Sequence, residues 1–188
     1  MEINNLILMK FSFLIFVFII FSWHSNSIAQ NSFPENWIGN YKGDLSIYGI
    51  DSVRMNLNME LKIAKTTNDS IYNWTIIYDF KGKKDIRAYE LIVIDKLKGI
   101  YKIDEKNSII IDAYLYNNKI FTSFFKVSDN FIIATYIKEK DVLTFEILSA
   151  KSNPVSITGN SKIGKEVIPE VATFPINGRQ KALLYKLD

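Results

Sequence analysis

Two side chains that could bind an anion stand close together in the chain, at Arg87 and Tyr89. In an extended strand every second side chain points to the same face, so the guanidinium and the phenol would lie side by side, with Leu91 continuing that face. Inside a dry cavity such a pair would bind a carboxylate through charge-assisted hydrogen bonds. The opposite face, which includes Ile86, is about as apolar. If that face is the inner one, Arg87 is a solvated surface residue, and both orientations stay open.

An aromatic stripe runs along the segment just before this pair. Tyr72, Trp74 and Tyr78 share one face of a predicted strand with Ile76 and Phe80. Tyrosine and tryptophan provide large apolar surfaces with a polar tip, which suits a cavity wall around a lipid-like or aromatic guest. In a filled interior the same stripe would be packed core. We therefore predict Tyr72, Trp74, Tyr78, Arg87 and Tyr89 as ligand-binding residues, provided that the interior is hollow.

The sequence offers little for catalysis or for metal binding. There is no cysteine, and the single histidine, His24, lies in the N-terminal segment. The carboxylates show no spacing that predicts the close pair of a glycosidase, and Asp104-Glu105 lacks the glycine and the terminal glutamate of a calcium loop. We therefore predict no catalytic residue, no metal and no cofactor, and we lean towards a protein that is not an enzyme. The net charge is only +3 and the basic residues are scattered, so no nucleic-acid partner is expected.

The elements that would position these side chains are strands. Residues 53–64 alternate strictly between apolar and polar, which is the period of a half-buried strand. Turn residues punctuate the chain at intervals of roughly ten residues, which is typical of sequential antiparallel pairing. The predicted strands are 36–48, 53–64, 71–80, 86–95, 99–104, 108–116, 119–127, 130–138 and 142–149, with a closing strand at 182–187. Closing such a sheet removes its edges, so we predict an all-β fold, an antiparallel up-and-down β-barrel of about 8–10 strands.

The first predicted strand carries a distinctive pattern, with Trp37, Gly39, Tyr41 and Gly43 at alternate positions. Large rings beside positions without side chains suit the strongly curved, closed end of a small barrel. We predict that these four residues close the barrel. The pattern resembles the first strand of fatty-acid-binding proteins, and the hairpins over about residues 36–149 resemble the calycin group, which also includes the lipocalins. This resemblance implies a lipocalin-like barrel that encloses a small hydrophobic ligand.

The sequence also departs from these families at several points. Fatty-acid-binding proteins insert two short helices after the first strand, whereas here the second strand begins within a few residues. The closing strand reads Leu184-Tyr185-Lys186 where that family places an Arg-x-Tyr pair. Nitrobindin-like barrels hold haem through a histidine, and none follows residue 24. No ligand residue is therefore carried over from any of them.

The N-terminal segment predicts export. Lys10 precedes an almost wholly apolar stretch at residues 11–23, and the small-x-small site Ser27-Ile28-Ala29 follows. These are the three parts of a secretory signal peptide, with cleavage expected after Ala29. We predict a signal peptide at residues 1–29, a single barrel domain at 30–188, a secreted or cell-envelope location, and no membrane segment after cleavage.

Three predicted strands, 86–95, 108–116 and 119–127, are apolar on both faces, although a soluble barrel should show water a polar exterior. Residues 151–180 contain three of the four prolines and break the strand pattern. We predict that this segment is a long loop that covers the apolar wall. A homodimer is the second choice.

Together these features predict a secreted, soluble β-barrel that binds a small hydrophobic or amphipathic, lipid-like ligand in its interior. The alternative is a non-enzymatic envelope or secreted interaction module whose barrel is filled with side chains.

Overall fold

The computed structural model describes residues 32–188, which form one compact unit. A 3-10 turn at Glu35–Trp37 precedes fourteen strands: β1 Gly39–Tyr48, β2 Val53–Lys65, β3 Ile71–Phe80, β4 Lys83–Asp95, β5 Ile100–Asp104, β6 Ile110–Tyr116, β7 Ile120–Val127, β8 Asn130–Glu139, β9 Val142–Lys151, β10 Ser156–Thr158, β11 Ser161–Ile163, β12 Glu166–Ile168, β13 Val171–Thr173 and β14 Ile176–Lys186. The signal peptide predicted at residues 1–29 lies outside the described residues.

Ten of these strands close into a barrel. Each of β1 to β9 pairs antiparallel with its neighbour in sequence, and β14 closes the circle between β9 and β1. The predicted all-β, up-and-down barrel is therefore confirmed. Alternation explains the packing: in β2, Met59, Leu61 and Ile63 are buried, while the residues between them point to the outer face.

Several boundaries differ from the predicted ones. β4 begins at Lys83 rather than at Ile86, because its hairpin with β3 stays paired up to the turn, where Phe80 lies opposite Lys83. β14 begins at Ile176 rather than at Ala182, because it is paired with β9 along almost its whole length. Trp37 belongs to the 3-10 turn and not to the first strand. The predicted alternation across residues 37–43 therefore holds only from Gly39 onward.

The two ends of the barrel differ. In an antiparallel meander the turns lie alternately at one end and the other. Because the 3-10 turn leads directly into β1, it lies at the same end as the turns that follow β2, β4, β6 and β8. We call this the closed end. The turns after β1, β3, β5, β7 and β9 lie at the opposite end, which we call the open end.

Residues 151–180 do not form the predicted covering loop. β10 pairs with β13 and β11 pairs with β12, so residues 156–173 make a two-stranded ribbon that leaves the barrel at the open end. Almost all its residues are exposed. On the wall that it was expected to cover, Ile110 and Phe124 remain 56% and 65% exposed. The segment does not cover this wall because residues 156–173 pair with one another instead of lying over the barrel.

Within residues 32–188, no helix has the length and the apolar character needed to cross a membrane.

Candidate ligand cavity

An aromatic cluster fills the closed end. Phe33, just before the 3-10 turn, packs edge-on against Trp37 and Tyr101, with ring centroids 4.9 Å apart in both pairs. It also lies 5.0 Å from the Phe121 ring. All four side chains are buried. The segment Phe33–Trp37, which we call the plug, therefore closes this end with side chains rather than with a lid of water-exposed loops.

A polar clasp holds the plug in the barrel. The Glu35 carboxylate accepts hydrogen bonds from Lys96 Nζ at 2.8 Å and from the Tyr72 hydroxyl at 2.9 Å. Burial alone would raise the pKa of Glu35, but the hydrogen bonds from Lys96, from the backbone amide and from Tyr72, together with the charge of Lys96, hold the pKa below its ordinary value. Tyr72 thus serves the plug at the closed end and does not line the cavity described below. The structure thus separates Tyr72 from the other residues predicted to bind a ligand.

The residues predicted to close the barrel lie along the plug and β1. The Tyr41 hydroxyl donates to the Trp37 carbonyl at 2.8 Å, which ties the first strand to the plug. Gly39 has a positive φ of 153°. At Gly43 a Cβ atom would collide with the Leu183 carbonyl oxygen of β14. Glycine is required here because β1 and β14 approach too closely for any side chain.

A cavity of about 530 Å³ occupies the open half of the barrel. That volume is within the range of roughly 300–1,000 Å³ usual for small-molecule sites. Its floor is aromatic, formed by Trp74, Phe121, Tyr136 and Phe145, whose other faces belong to the core. The remaining lining residues are mostly aliphatic, with a few polar groups: Ile76, Tyr78, Arg87, Tyr89, Ile103, Glu105, Ile109, Ile111, Ser123, Phe125, Val127, Ile132, Ala134, Ile147, Ser149 and Gln180.

The structure resolves which face of β4 points inward. Leu91 is fully buried and both Arg87 and Tyr89 line the cavity, whereas Ile86 on the other face is 61% exposed. The Arg87 guanidinium forms an ion pair with Asp85 at 3.1 Å and stacks over the Tyr78 ring, 4.9 Å from its centroid. Its side chain keeps 46% of its surface exposed. A fixed cation therefore stands at the mouth of the cavity, within reach of solvent.

The phenols beside this cation are hydrogen-bond donors at neutral pH. Burial raises the pKa of Tyr78 to about 12, although Arg87 opposes the shift. Burial, and secondarily the Glu105 carboxylate, raises the pKa of Tyr89. Both hydroxyls accordingly stay protonated. An oxygen acceptor placed at the mouth could accept from Arg87, beside which Tyr78, Tyr89 and the Glu105 carboxylate also line the cavity.

Four of the five residues predicted for ligand binding meet at this cavity: Arg87, Tyr89, Tyr78 and Trp74. Sequence reasoning missed the polar lining residues Glu105, Ser149 and Gln180. Gln180 stood in the predicted loop, where no alternation could be applied. Glu105 lies in the turn after β5, and its sequence position alone gave no sign that it faces inward.

Within residues 32–188 no group of three or more histidine, cysteine, aspartate or glutamate side chains could hold a metal ion.

Comparisons with known proteins support the fold. No family model matches the chain, and no curated protein matches it either. Among solved structures, the chain is similar to the S-type phycobiliprotein lyase CPES from Guillardia theta, with a TM-score of 0.57 and 7% identity over 85% of this chain and 94% of the lyase. It is also similar to a DUF3598-family protein of unknown function from Nostoc punctiforme, with a TM-score of 0.51 and 10% identity over 81% of this chain. The chain matches only 48% of the length of the Nostoc protein.

Both neighbours are lipocalin-like barrel proteins, so the comparisons agree with the closed ten-strand barrel. At such low identities they show the fold alone, and no particular calycin family is assigned.

Proposed function

We propose that this protein is an exported carrier or receptor that binds a small amphipathic ligand in the open half of its barrel. The observation that supports this most directly is the cavity of about 530 Å³, which has an aromatic floor and an arginine at its mouth. The apolar part of the ligand would lie against Trp74 and Phe121, and an acidic group would lie at Arg87.

The physical basis is a division between apolar and polar surface. Each methylene buried against the apolar lining contributes about 0.8 kcal/mol. A carboxylate at the mouth would accept charge-assisted hydrogen bonds from Arg87, and from Tyr78 and Tyr89 beside it. Because Arg87 already stacks on Tyr78, little side-chain entropy would be lost when the ligand binds.

Export is part of the proposal because of the signal-like pattern in residues 1–29. The lack of cysteine means that the exported protein would depend on its core and not on disulfides. N-terminal sequencing of the protein secreted by an expressing cell tests this, and a mature chain beginning at Gln30 is expected. Recovery of the uncleaved chain from the cytosol would contradict it.

The alternative, an interaction module with a filled barrel, is favoured less because only the closed half is filled with aromatic side chains.

Ligand binding can be tested by expressing residues 30–188 and extracting the purified protein with organic solvent for mass spectrometry. A co-purified amphiphile, or saturable binding of the fluorescent fatty acid cis-parinaric acid, is expected. An empty protein that binds no such probe would reject the proposed function.

A further inference from the structure

The barrel wall is lower at β5 than at the neighbouring β4. β4 is paired with β3 as far as Lys83, at the open end, but its pairing with β5 starts only at Glu90. Residues 83–89 of β4 therefore have no neighbouring strand on that side, among the residues that the structure describes. This stretch includes Arg87 and Tyr89, the polar groups at the cavity mouth.

A second break in the wall lies between β6 and β7. β6 and β7 pair through only three residue pairs, from Tyr116 opposite Ile120 to Tyr114 opposite Thr122. β7 then continues to Val127 while paired with β8 alone. Within the described chain, β6 likewise continues from Ala113 to Ile110 while paired with β5 alone, so a gap is left between β6 and β7 towards the open end. We call this feature the notch.

The notch is mainly apolar on both sides: of residues 110–113 on β6 and 123–127 on β7, only Asp112 and Lys126 are charged. Ile109 and Val127 line the cavity and yet are 44% and 46% exposed, so both lie where the cavity meets solvent. On the outer face of the same strands, Ile110 and Phe124 are also exposed. Unpaired strand edges in proteins are commonly protected by charged side chains. Here apolar side chains dominate the rim, which suits the passage of an apolar molecule.

We infer that the notch is the lateral route by which the hydrocarbon chain of an amphiphile enters and leaves the cavity. This inference rests on the proposed function. The chain would slide between Ile109 and Val127, while the anionic group stays in water until it comes to rest at Arg87 on β4. A long flexible chain could then be loaded sideways, without its charged head group passing through the apolar interior.

A covalent bar across the notch tests this route. The chain has no cysteine, so a pair introduced at Asp112→Cys and Phe124→Cys would be unique. Both positions are exposed, and by continuation of the β6–β7 register they face each other across the notch. A short bismaleimide can join the two thiols. The matched control combines Asp112→Cys with Lys102→Cys. Residue 102 lies directly opposite residue 112 in the hydrogen-bonded β5–β6 pair, and the native side chains form an ion pair at 3.7 Å.

Stopped-flow fluorescence with cis-parinaric acid gives the readout. Relative to the same variant before cross-linking, the bar should slow association and dissociation alike by about tenfold or more, which is about 1.4 kcal/mol on the barrier. The dissociation constant should change little, because the cavity itself is intact. The control cross-link should leave both rates unchanged.

A second variant covers the case in which the bar distorts the barrel. Val127→Trp should fill the notch from one side and slow both rates, whereas Ile157→Trp, on the exposed ribbon at the same end, should not. Unchanged rates in the barred protein and in Val127→Trp would overturn the inference while leaving the proposed function standing. If the wild-type protein binds no probe at all, the proposed function fails and the inference falls with it. If the cross-link leaves the probe rates unchanged but abolishes the binding of a partner protein, the notch is a strand-docking edge. That outcome would also overturn the proposed route.

Discussion

The Arg87 guanidinium lies over the ring of Tyr78, 4.9 Å from its centroid, with the two residues on adjacent strands of the barrel. The same guanidinium bonds to Asp85 at 3.1 Å. The cation is therefore held at the cavity mouth before any ligand arrives. Its position is set by the β3–β4 hairpin and not by a loop, which is the arrangement expected of a preorganised binding group.

Replacement of Arg87 by alanine should weaken the binding of a fatty acid. A hydrogen bond to a charged group contributes about 1.5–3 kcal/mol, and the partial exposure of Arg87 favours the lower end, so we expect a loss of roughly tenfold. Binding of the fatty alcohol of the same chain length should change much less. Isothermal titration of both ligands checks this, with Arg179→Ala on the outer wall as the matched control. Equal losses for acid and alcohol would show that Arg87 does not bind the head group.

Filling the cavity should abolish binding without unfolding the barrel. Ala134 lines the cavity, so Ala134→Phe should reduce the binding capacity for cis-parinaric acid while the melting temperature stays within a few degrees. Ala88→Phe, on the exposed outer face of β4, provides the matched control. Undiminished binding in Ala134→Phe would place the ligand outside the barrel.

The clasp around Glu35 should contribute to stability in a pH-dependent way. Because the pKa of Glu35 is lower in the folded protein than its ordinary value of 4.5, the ionised carboxylate stabilises the fold above pH 4.5. That contribution is lost as the pH falls through the lowered pKa. Glu35→Gln should therefore unfold at a lower temperature than the wild-type protein at pH 7, and the difference should shrink below about pH 4.

Thermal unfolding followed by circular dichroism across this pH range gives the measurement. Glu166→Gln, on the exposed ribbon, is the control and should show no such pH-dependent difference. A Glu35→Gln effect that is constant from pH 7 to pH 3 would contradict a role for the charge in holding the plug.

The β1–β14 seam should tolerate no side chain at residue 43. A Cβ atom there would collide with the Leu183 carbonyl oxygen, and overpacking of this kind costs typically about 1–3 kcal/mol. In urea unfolding, Gly43→Ala should lower the free energy of unfolding by an amount at or above the upper end of this range. Asn40→Ala, an exposed position on the same strand, should cost far less. Equal stability of the two variants would show that the strands can move apart at no cost.

The sequence predicted the barrel well because most strands follow a period of two. It also predicted that Arg87 and Tyr89 share a face, but not which face is inside, since both faces of β4 are apolar enough to be buried. Tyr72 shows a further limit: alternation assigns a side chain to the interior but not to its closed or open half. That assignment depends on the plug, which approaches Tyr72 from 37 residues away in the chain.

The ribbon and the notch could not be predicted for related reasons. Residues 151–180 lack a periodic pattern because nearly every side chain there meets solvent on both faces. The notch arises because the pairing of β6 with β7 ends at Tyr114 and Thr122, although both strands continue towards the open end. Where the pairing of two strands ends is set by the geometry of the whole sheet, which a single sequence does not show.

The pairing of β1 with β14 has a consequence for how the protein folds. These two strands stand at opposite ends of the described chain, yet the Leu187 amide donates to the Asn40 carbonyl at 2.7 Å. Closing so long a loop carries a large entropic cost that is repaid only when the final strand docks. During synthesis the meander therefore keeps two unpaired strand edges until the last strand has been made. Closure of the ring is then expected to be the late, rate-limiting event, and the interval before it is when the chain is most exposed to aggregation.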